Sequence, residues 1–214
     1  MIDYPTGSWE TDLKIPGNFI RDYIKLTENI LNIDDQENDL RYFKNERYYI
    51  LWEYAKSVAD LDGDFVECGV SNGNSAFFMA KNCKTHLHLF ESFEGASDFT
   101  EHDNPYYLEN KFAGSADAVN TALAEFNNVT LHIGPVPFEF DQVSKISLLH
   151  VDLNNYIPTK TTLEALWDKV VPGGVVIVDF HDSVSTGAEK ATRDFFIGYD
   201  ILVMATGKAV IVKN

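Results

Sequence analysis

Short apolar runs that alternate with helix-like segments are the feature that most constrains the fold of this chain. The run VVIVDF, which contains a predicted strand at residues 175–179 after a predicted turn at Pro172-Gly173-Gly174, has no polar alternation and is typical of a strand covered on both faces. Similar strand-like runs lie at residues 65–70, 87–90, 129–133 and 146–151, and a closing hairpin is predicted at 201–204 and 209–212. Helical spacing separates the strands at residues 75–82, 116–126, 161–171 and 188–196. This alternation predicts right-handed crossovers and a mostly parallel sheet, which is an α/β fold.

The segment before the first strand has a different pattern. Residues 1–16 look irregular, and helical spacing predicts two helices, at residues 18–31 and 40–59. We therefore predict an N-terminal part, residues 1–61, that serves as a cap or an interface for a possible homo-oligomer. Residues 62–214 are expected to form one α/β domain, since a chain of 214 residues suits one sizeable core.

Charge and cysteine usage exclude several classes of protein. The chain has 33 acidic and 17 basic residues, a formal net charge of −16, so nucleic acid is not an expected partner. No apolar span of about 18 residues and no signal peptide is present, which predicts a cytoplasmic protein without a membrane partner. Cys68 and Cys83 form no Cys-x-x-Cys pair, so neither a structural zinc site nor an oxidising compartment is expected.

The first turn after a predicted strand carries the strongest signal for a ligand. Open parallel sheets bind ligands beyond the carboxyl ends of their strands. In DFVECGVSNGNS, Gly69 and Gly73 allow a tight turn, but the glycine spacing is not that of a dinucleotide-binding loop, so a NAD-binding oxidoreductase is a distant possibility. Glu67, predicted to lie inside the turn, would repel a diphosphate and favour an ammonium or sulfonium group; otherwise it is a surface acid. Glu91 ends the next strand and suits a ribose diol, which favours a nucleoside ligand.

Three blocks of the sequence resemble a known family. FVECGVSNGNS, LFESFEGAS and LLHVDLNNYIPTKTTLEALWDKVVPGGVVIVDFHD are similar to the macrocin O-methyltransferase (TylF/MycF-type) family of class I S-adenosylmethionine-dependent methyltransferases. The resemblance implies a Rossmann-like seven-stranded sheet of order 3-2-1-4-5-7-6, with the last strand antiparallel. It implies S-adenosylmethionine as cofactor, and many members methylate sugars of natural products. The predicted donor-binding residues are Glu67, Gly69, Ser71, Gly73, Ser75, Glu91 and Ser92.

The third block implies a metal and a base, and here the sequence departs from the family. Asp152 and Asp179 match two family ligands of a magnesium ion, but Phe180 stands where another ligand belongs. Asn154 stands where the family has its base, and His181 replaces a tyrosine. Because Mg²⁺ requires several hard oxygen ligands, Asp152 and Asp179 alone make a thin site, and retention of the metal is an open question.

Two interpretations of these departures remain open. In the first, Asp182 replaces the missing ligand and His181 acts as the base, since imidazole titrates near neutrality. In the second, the metal is lost and the two aspartates orient the substrates directly. The candidate catalytic residues are Asp152, His181 and Asp182, with His150 a weaker candidate deeper on the face of Asp152.

The resemblance predicts O-methylation of a small hydroxylated acceptor, such as a sugar or a natural-product intermediate. Methylation of an amine or a carboxylate on the same fold is the first alternative, because neither needs the missing base. A non-catalytic ligand-binding homologue is the second, because Asn154 and Phe180 depart from the family.

Overall fold

The computed structural model describes residues 40–96, 98–104, 113–179 and 186–214, with side chains described from residue 47 onwards. The helix predicted at residues 18–31 lies outside these ranges. The candidate residues His181 and Asp182 also lie outside them, as does Phe180. No helix in the described ranges is long and apolar enough to cross a membrane.

Helices and strands alternate along the described chain as the apolar pattern predicts. The α-helices are α1 Leu40–Ser57, α2 Asn74–Ala80, α3 Ala116–Ala122, α4 Tyr156–Leu166 and α5 Thr186–Phe195. The strands are β1 Asp64–Cys68, β2 Leu87–Glu91, β3 Val129–Ile133, β4 Ile146–Val151, β5 Val170–Asp179, β6 Leu202–Val203 and β7 Lys208–Val212. Two short 3₁₀ helices lie at Phe140–Gln142 and Trp167–Lys169.

Within the described residues, the strands form one seven-stranded sheet in the order β3-β2-β1-β4-β5-β7-β6. The strands from β1 to β5 pair in parallel, whereas β7 pairs antiparallel with both β5 and β6. This confirms the predicted order and the antiparallel last strand. Successive strands are added on one side of β1 up to β3 and on its other side from β4 onwards. A crevice opens at such a switch point, beyond the carboxyl ends of the strands.

Apolar side chains form a core on each face of the sheet, which explains why the central strands are apolar without alternation. In β5, Ile177 belongs to the core that α1, α2 and α3 cover, whereas Val176 and Val178 belong to the opposite core. The second core includes Leu163 of α4 and Phe196 after α5. Full burial of one such side chain stabilises the fold by roughly 1.5–3 kcal/mol, so the two cores fix the sheet that positions the site.

Two boundaries differ from the predicted ones for identifiable reasons. Helix α4 begins at Tyr156 rather than at residue 161, because Asp103 Oδ1 accepts a hydrogen bond from Tyr156 N at 2.8 Å. This is a distant contact that satisfies a first-turn donor. Strand β5 begins at Val170 and continues through Pro172, Gly173 and Gly174, where a turn was predicted. A register shift on β4, between Ile146 and Leu148, accommodates this irregular start.

Histidines and carboxylates form a chain across β1, β2 and β3. His88 Nδ1 lies 3.1 Å from His132 Nε2, and His132 Nδ1 lies 2.8 Å from Glu139 Oε2. His88 Nε2 is 3.6 Å from Asp64 Oδ2, and its ring lies 4.6 Å from that of His86. Burial and the neighbouring His86 lower the pKa of His88. These histidines line the sheet.

Candidate active site

A cavity of about 560 Å³ opens beyond the carboxyl ends of β1, β2, β4 and β5. Its volume lies within the range of roughly 300–1,000 Å³ that small-molecule sites usually have. Gly69, Ser71 and Glu91 line one side of it, and Asp152 and Lys208 line the other. The cavity therefore occupies the switch point where the topology places a ligand.

The first turn forms the wall of the cavity next to β1, and its backbone requires glycine at two positions. Gly69 and Gly73 have φ of 87° and 85°, and Ser71 has φ of 51°. A Cβ on Gly69 would overlap the carbonyl oxygen of Asp152, since the turn packs directly against the end of β4. Of the residues predicted to bind the donor, Gly69, Ser71 and Ser75 line the cavity, whereas Gly73 lies behind the wall, against α3.

Glu91, at the end of β2, connects that strand to the first turn. Its Oε2 accepts hydrogen bonds from the backbone N–H groups of Val70 and Ser71, both at 2.8 Å. Its Oε1 accepts from the N–H of Phe93 at 3.0 Å. A carboxylate has about four lone-pair sites, so Glu91 retains capacity for a ligand hydroxyl. Glu91 and the following Ser92, both predicted to bind the donor, line the cavity.

Glu67 does not lie inside the turn, which corrects the prediction from sequence. It belongs to β1, which continues to Cys68, and its side chain is fully buried. Its Oε1 is 2.7 Å from Nδ1 of His150 on the paired strand β4. Glu67 does not line the cavity, so its negative charge acts on the site through His150.

Along the wall of the cavity, charged and titratable side chains form a connected network. The Lys208 ammonium donates a hydrogen bond to Asp179 Oδ1, and Lys208 Nζ lies 3.2 Å from His150 Nε2. The Arg47 guanidinium donates to the other Asp179 oxygen, Oδ2. The Lys208 side chain is 2% exposed and that of Asp179 is 4% exposed, so this pair is shielded from water. The network reaches from Glu67 in the core to Arg47 at the cavity.

The network sets the protonation of its acids in opposite directions. Burial alone would raise the pKa of Asp179, but Lys208, His150 and Arg47 outweigh it and hold that pKa well below its usual range. Burial and then the nearby charge of Asp179 raise the pKa of Asp152 to about 7. Burial and Lys208 oppose the charged form of His150, but its carboxylate neighbours Asp179 and Glu67 raise its pKa on balance.

Asp152 directly follows β4 and is the least engaged of the central acids. Its backbone N–H donates to Cys68 O at 2.8 Å, which holds the residue beside the first turn. Its carboxylate lines the cavity and, among the residues that the structure describes, receives no hydrogen bond. Asn154, which the macrocin-family resemblance aligns with the base of that family, also lines the cavity and has φ of 59°. Of the acids in this network, Asp152 therefore has the carboxylate most available to a ligand in the cavity.

The arrangement does not fit a magnesium ion. Ligand atoms of His150, Asp152 and Asp179 lie within 4.8 Å of one another, as a metal site requires. However, Arg47 and Lys208 already engage both oxygens of Asp179. A divalent ion bound by both oxygens of Asp179 would have to displace two cations, and of these three residues only Asp152 would offer an uncommitted hard oxygen.

Lys208 and Arg47 were not identified from the sequence. Lys208 directly precedes the strand predicted at residues 209–212, where a lysine is usually exposed, and only its antiparallel pairing with Asp179 reveals its burial. Arg47 lies in helix α1, and no local sequence pattern indicates how this helix packs against the sheet. The strand register would have identified Lys208 as a site residue, because it pairs Lys208 with Asp179 and a buried acid requires a partner.

Comparison with known proteins agrees with this geometry. Residues 66–183, more than half of the chain, match the sequence pattern of a family described as a methyltransferase domain. The chain belongs to this methyltransferase family. None of the curated proteins searched matches the chain.

Solved methyltransferases share the fold at low sequence identity. The O-methyltransferase NovP aligns with a TM-score of 0.68 and 21% identity, over 79% of this chain and 80% of its own. The calicheamicin methyltransferase CalS11 aligns with a TM-score of 0.65 and 18% identity, over 97% of this chain and 99% of its own. The N-methyltransferase NodS of Bradyrhizobium japonicum WM9, in complex with S-adenosyl-L-homocysteine, aligns with a TM-score of 0.57 and 15% identity, over 90% and 98%. Together with the strand order, these likenesses establish the class I methyltransferase fold, while the narrower macrocin family stays a prediction.

Proposed function

We propose that this protein transfers the methyl group of S-adenosylmethionine to a hydroxyl oxygen of a small acceptor. The observation that carries the proposal is the composition of the single cavity described above. One side has the glycine turn and Glu91, which suit a nucleoside, and the other has the uncommitted carboxylate of Asp152. Donor and acceptor would therefore meet between the ends of β1 and β4.

The donor side fits S-adenosylmethionine in chemistry as well as in size. The remaining lone pair of Glu91 can accept a hydrogen bond from a ribose hydroxyl. The wall formed by Gly69 and Ser71 brings backbone close to a ligand without side-chain obstruction. The fold of NodS, which was solved with the demethylated product of this donor, supports the same cofactor here.

On the acceptor side, this chain must align the hydroxyl and remove its proton. During transfer, an oxygen lone pair forms the new carbon–oxygen bond while the carbon–sulfur bond breaks and its electrons remain on sulfur. The hydroxyl proton passes to the Asp152 carboxylate, and a pKa of about 7 suits a general base that works near neutral pH. Asn154 cannot take that role, since a neutral amide is no base at this pH.

The structurally similar methyltransferases suggest which class of acceptor to test. NovP is an O-methyltransferase, and CalS11 is a TDP-rhamnose 3'-O-methyltransferase of calicheamicin biosynthesis. A sugar or a natural-product intermediate with a free hydroxyl is therefore the first acceptor to test. Amines and carboxylic acids belong in the same screen, since NodS is an N-methyltransferase.

Calorimetric titration with S-adenosylmethionine in EDTA tests the donor half of the proposal. We expect saturable binding to the wild type, and Glu91→Gln should weaken it about 10–100-fold because a charged hydrogen-bonding acceptor is lost. Glu94→Gln is the matched control, since Glu94 is exposed and does not line the cavity. Absence of binding to the wild type would contradict the proposal.

A radiolabelled methyl donor tests the acceptor half. The screen would contain nucleotide sugars, free sugars, phenols, amines and carboxylic acids. We expect label in a hydroxylated compound, with transfer lost in Asp152→Asn while donor binding persists. Label in amines alone would indicate N-methylation in place of O-methylation. Donor binding without any transfer would support a non-catalytic ligand-binding homologue.

A further inference from the structure

The centre of the acceptor side is occupied by positive charge that the protein supplies itself. Asp179 is at the carboxyl end of β5, and one cation from α1 and another from β7 engage its two oxygens. Of these cations, Lys208 is the buried one, with 1% of its surface exposed. A lysine this far from water is rare unless it is paired, so the fold holds Lys208 in place through its pairing with Asp179.

We propose that Lys208, supported by Arg47, is an internal cation that replaces a divalent metal in this site, so that the protein works without a metal. The part of this inference that concerns catalysis rests on the proposed function. The part that concerns metal exclusion stands on the contacts alone and can be tested without donor or acceptor.

The contacts explain why a metal would be excluded. A divalent ion placed among His150, Asp152 and Asp179 would need Asp179 oxygens that are already engaged. Displacing Lys208 would leave its ammonium buried and unpaired, and this desolvation opposes metal binding. Repulsion from Arg47 and Lys208 adds to that opposition, because like charges interact strongly where water is excluded.

The internal cation can also serve the reaction. A metal in such a site lowers the pKa of an acceptor hydroxyl and stabilises the negative charge that develops on its oxygen. Lys208 lines the cavity and has three N–H donors, of which the described residues engage at most two. The third donor is available to an acceptor oxygen, and the fixed charge would stabilise that oxygen as Asp152 removes its proton.

Manganese binding followed by electron paramagnetic resonance tests the exclusion directly. The chelator-treated wild type should leave the six-line signal of free Mn²⁺ unchanged. The double variant Arg47→Ala and Lys208→Ala should reduce it stoichiometrically, because it frees Asp179 beside His150 and Asp152. Lys208→Arg retains the cation and is the matched control, expected to behave like the wild type.

Each outcome decides the inference separately from the proposed function. Stoichiometric Mn²⁺ binding by the wild type that Asp179→Asn abolishes would overturn it, and the wild-type titration itself requires no destabilised variant. A double variant that keeps its circular dichroism spectrum but binds no Mn²⁺ would also overturn it. Methyl transfer that EDTA abolishes and Mg²⁺ restores would refute metal independence while supporting the proposed function. Failure to bind S-adenosylmethionine would refute the proposed function and leave the Mn²⁺ result standing.

Discussion

The two sides of the cavity are built by different means. On the proposed donor side, the wall consists mainly of backbone. It is a turn with two glycines at positive φ, held by a carboxylate that accepts hydrogen bonds from three backbone N–H groups. On the acceptor side, charged side chains from α1, β4, β5 and β7 meet in a network. The first depends on local chain geometry and the second on charges brought together from distant parts of the chain.

This difference teaches which perturbations each side tolerates. The donor side should be sensitive to a single added methyl group in the turn, while exposed charges near it can change freely. The acceptor side should be sensitive to deletion of one charge and much less sensitive to deletion of two opposite charges together, since an unpaired buried ion is the costly state.

Deleting the buried cation should have the largest effect on stability. Lys208→Met leaves Asp179 with one oxygen unpaired in a site from which water is excluded. We expect the free energy of unfolding at neutral pH to fall by about 3–5 kcal/mol, measured by urea denaturation.

The double variant Asp179→Asn and Lys208→Met tests the cause of that loss. It should recover most of the stability, because neither charge remains buried without a partner. Lys145→Met is the surface control, since Lys145 pairs with Asp62 where both side chains are more than half exposed. Its change should stay within about 0.5 kcal/mol, and an equal loss in both lysine variants would contradict the contrast.

A methyl group in the turn should be the next largest perturbation. Gly69→Ala forces an alanine to φ of 87° and places its Cβ against the Asp152 carbonyl oxygen. We expect roughly 2–3 kcal/mol of destabilisation, together with weaker donor binding in calorimetry. Gly198→Ala separates strain from crowding, because Gly198 has a similar φ of 86° but no atom within 4 Å of the added Cβ. That control should cost about 1 kcal/mol and leave donor binding intact.

Asp152 should reduce stability at alkaline pH, the reverse of Asp179. Its pKa in the folded protein is about 7, whereas an unfolded aspartate titrates near pH 3.9, so the native state retains a proton that the unfolded chain releases. Its contribution to stability therefore declines as pH rises from about 4 to about 7. Asp152→Asn should be more stable than the wild type at about pH 8 by roughly 1–2 kcal/mol, with no gain near pH 4. Thermal melts at both pH values would check this, and a gain independent of pH would contradict it.

The histidine chain on β2 and β3 should give the smallest effect, distant from both sides of the cavity. Burial and His86 lower the pKa of His88 below its usual value, so the unfolded chain takes up a proton before the native state does. The stability due to neutral His88 is present above about pH 6.5 and is lost as pH falls below that value. His88→Gln should flatten this decline between about pH 7 and 5 by less than about 1 kcal/mol. An unchanged pH profile of the melting temperature would contradict the assignment.

The fold was predictable from the sequence because its signals are local. Apolar runs such as residues 129–133 and 146–151 match β3 and β4 in both bounds, and the resemblance supplied the strand order. The start of α4 at Tyr156 was not predictable, since its first N–H is satisfied by Asp103, which is distant in sequence. Glycines in strand β5 were misread as a turn because the register shift that accommodates them lies on another strand.

The site was predictable in the same uneven way. Gly69, Ser71 and Glu91 are found where the turn pattern placed them, since a turn is encoded by consecutive residues. The place of Glu67 was wrong because β1 extends past it and pairs it with His150. Lys208 and Arg47 were missed because they are linked to Asp179 through tertiary contacts alone. His181 and Asp182 stay predictions, since they lie outside the described residues.

The position of Lys208 on β7 has a consequence for how the protein is made. β7 follows β6 along the chain but enters the sheet between β5 and β6. During synthesis on the ribosome, Asp179 emerges after Arg47 but before Lys208, so one of its two cation partners is missing until β7 inserts. Closure of the sheet and completion of the charge network are thus the same event, and a nascent chain that lacks β7 cannot yet hold the complete network.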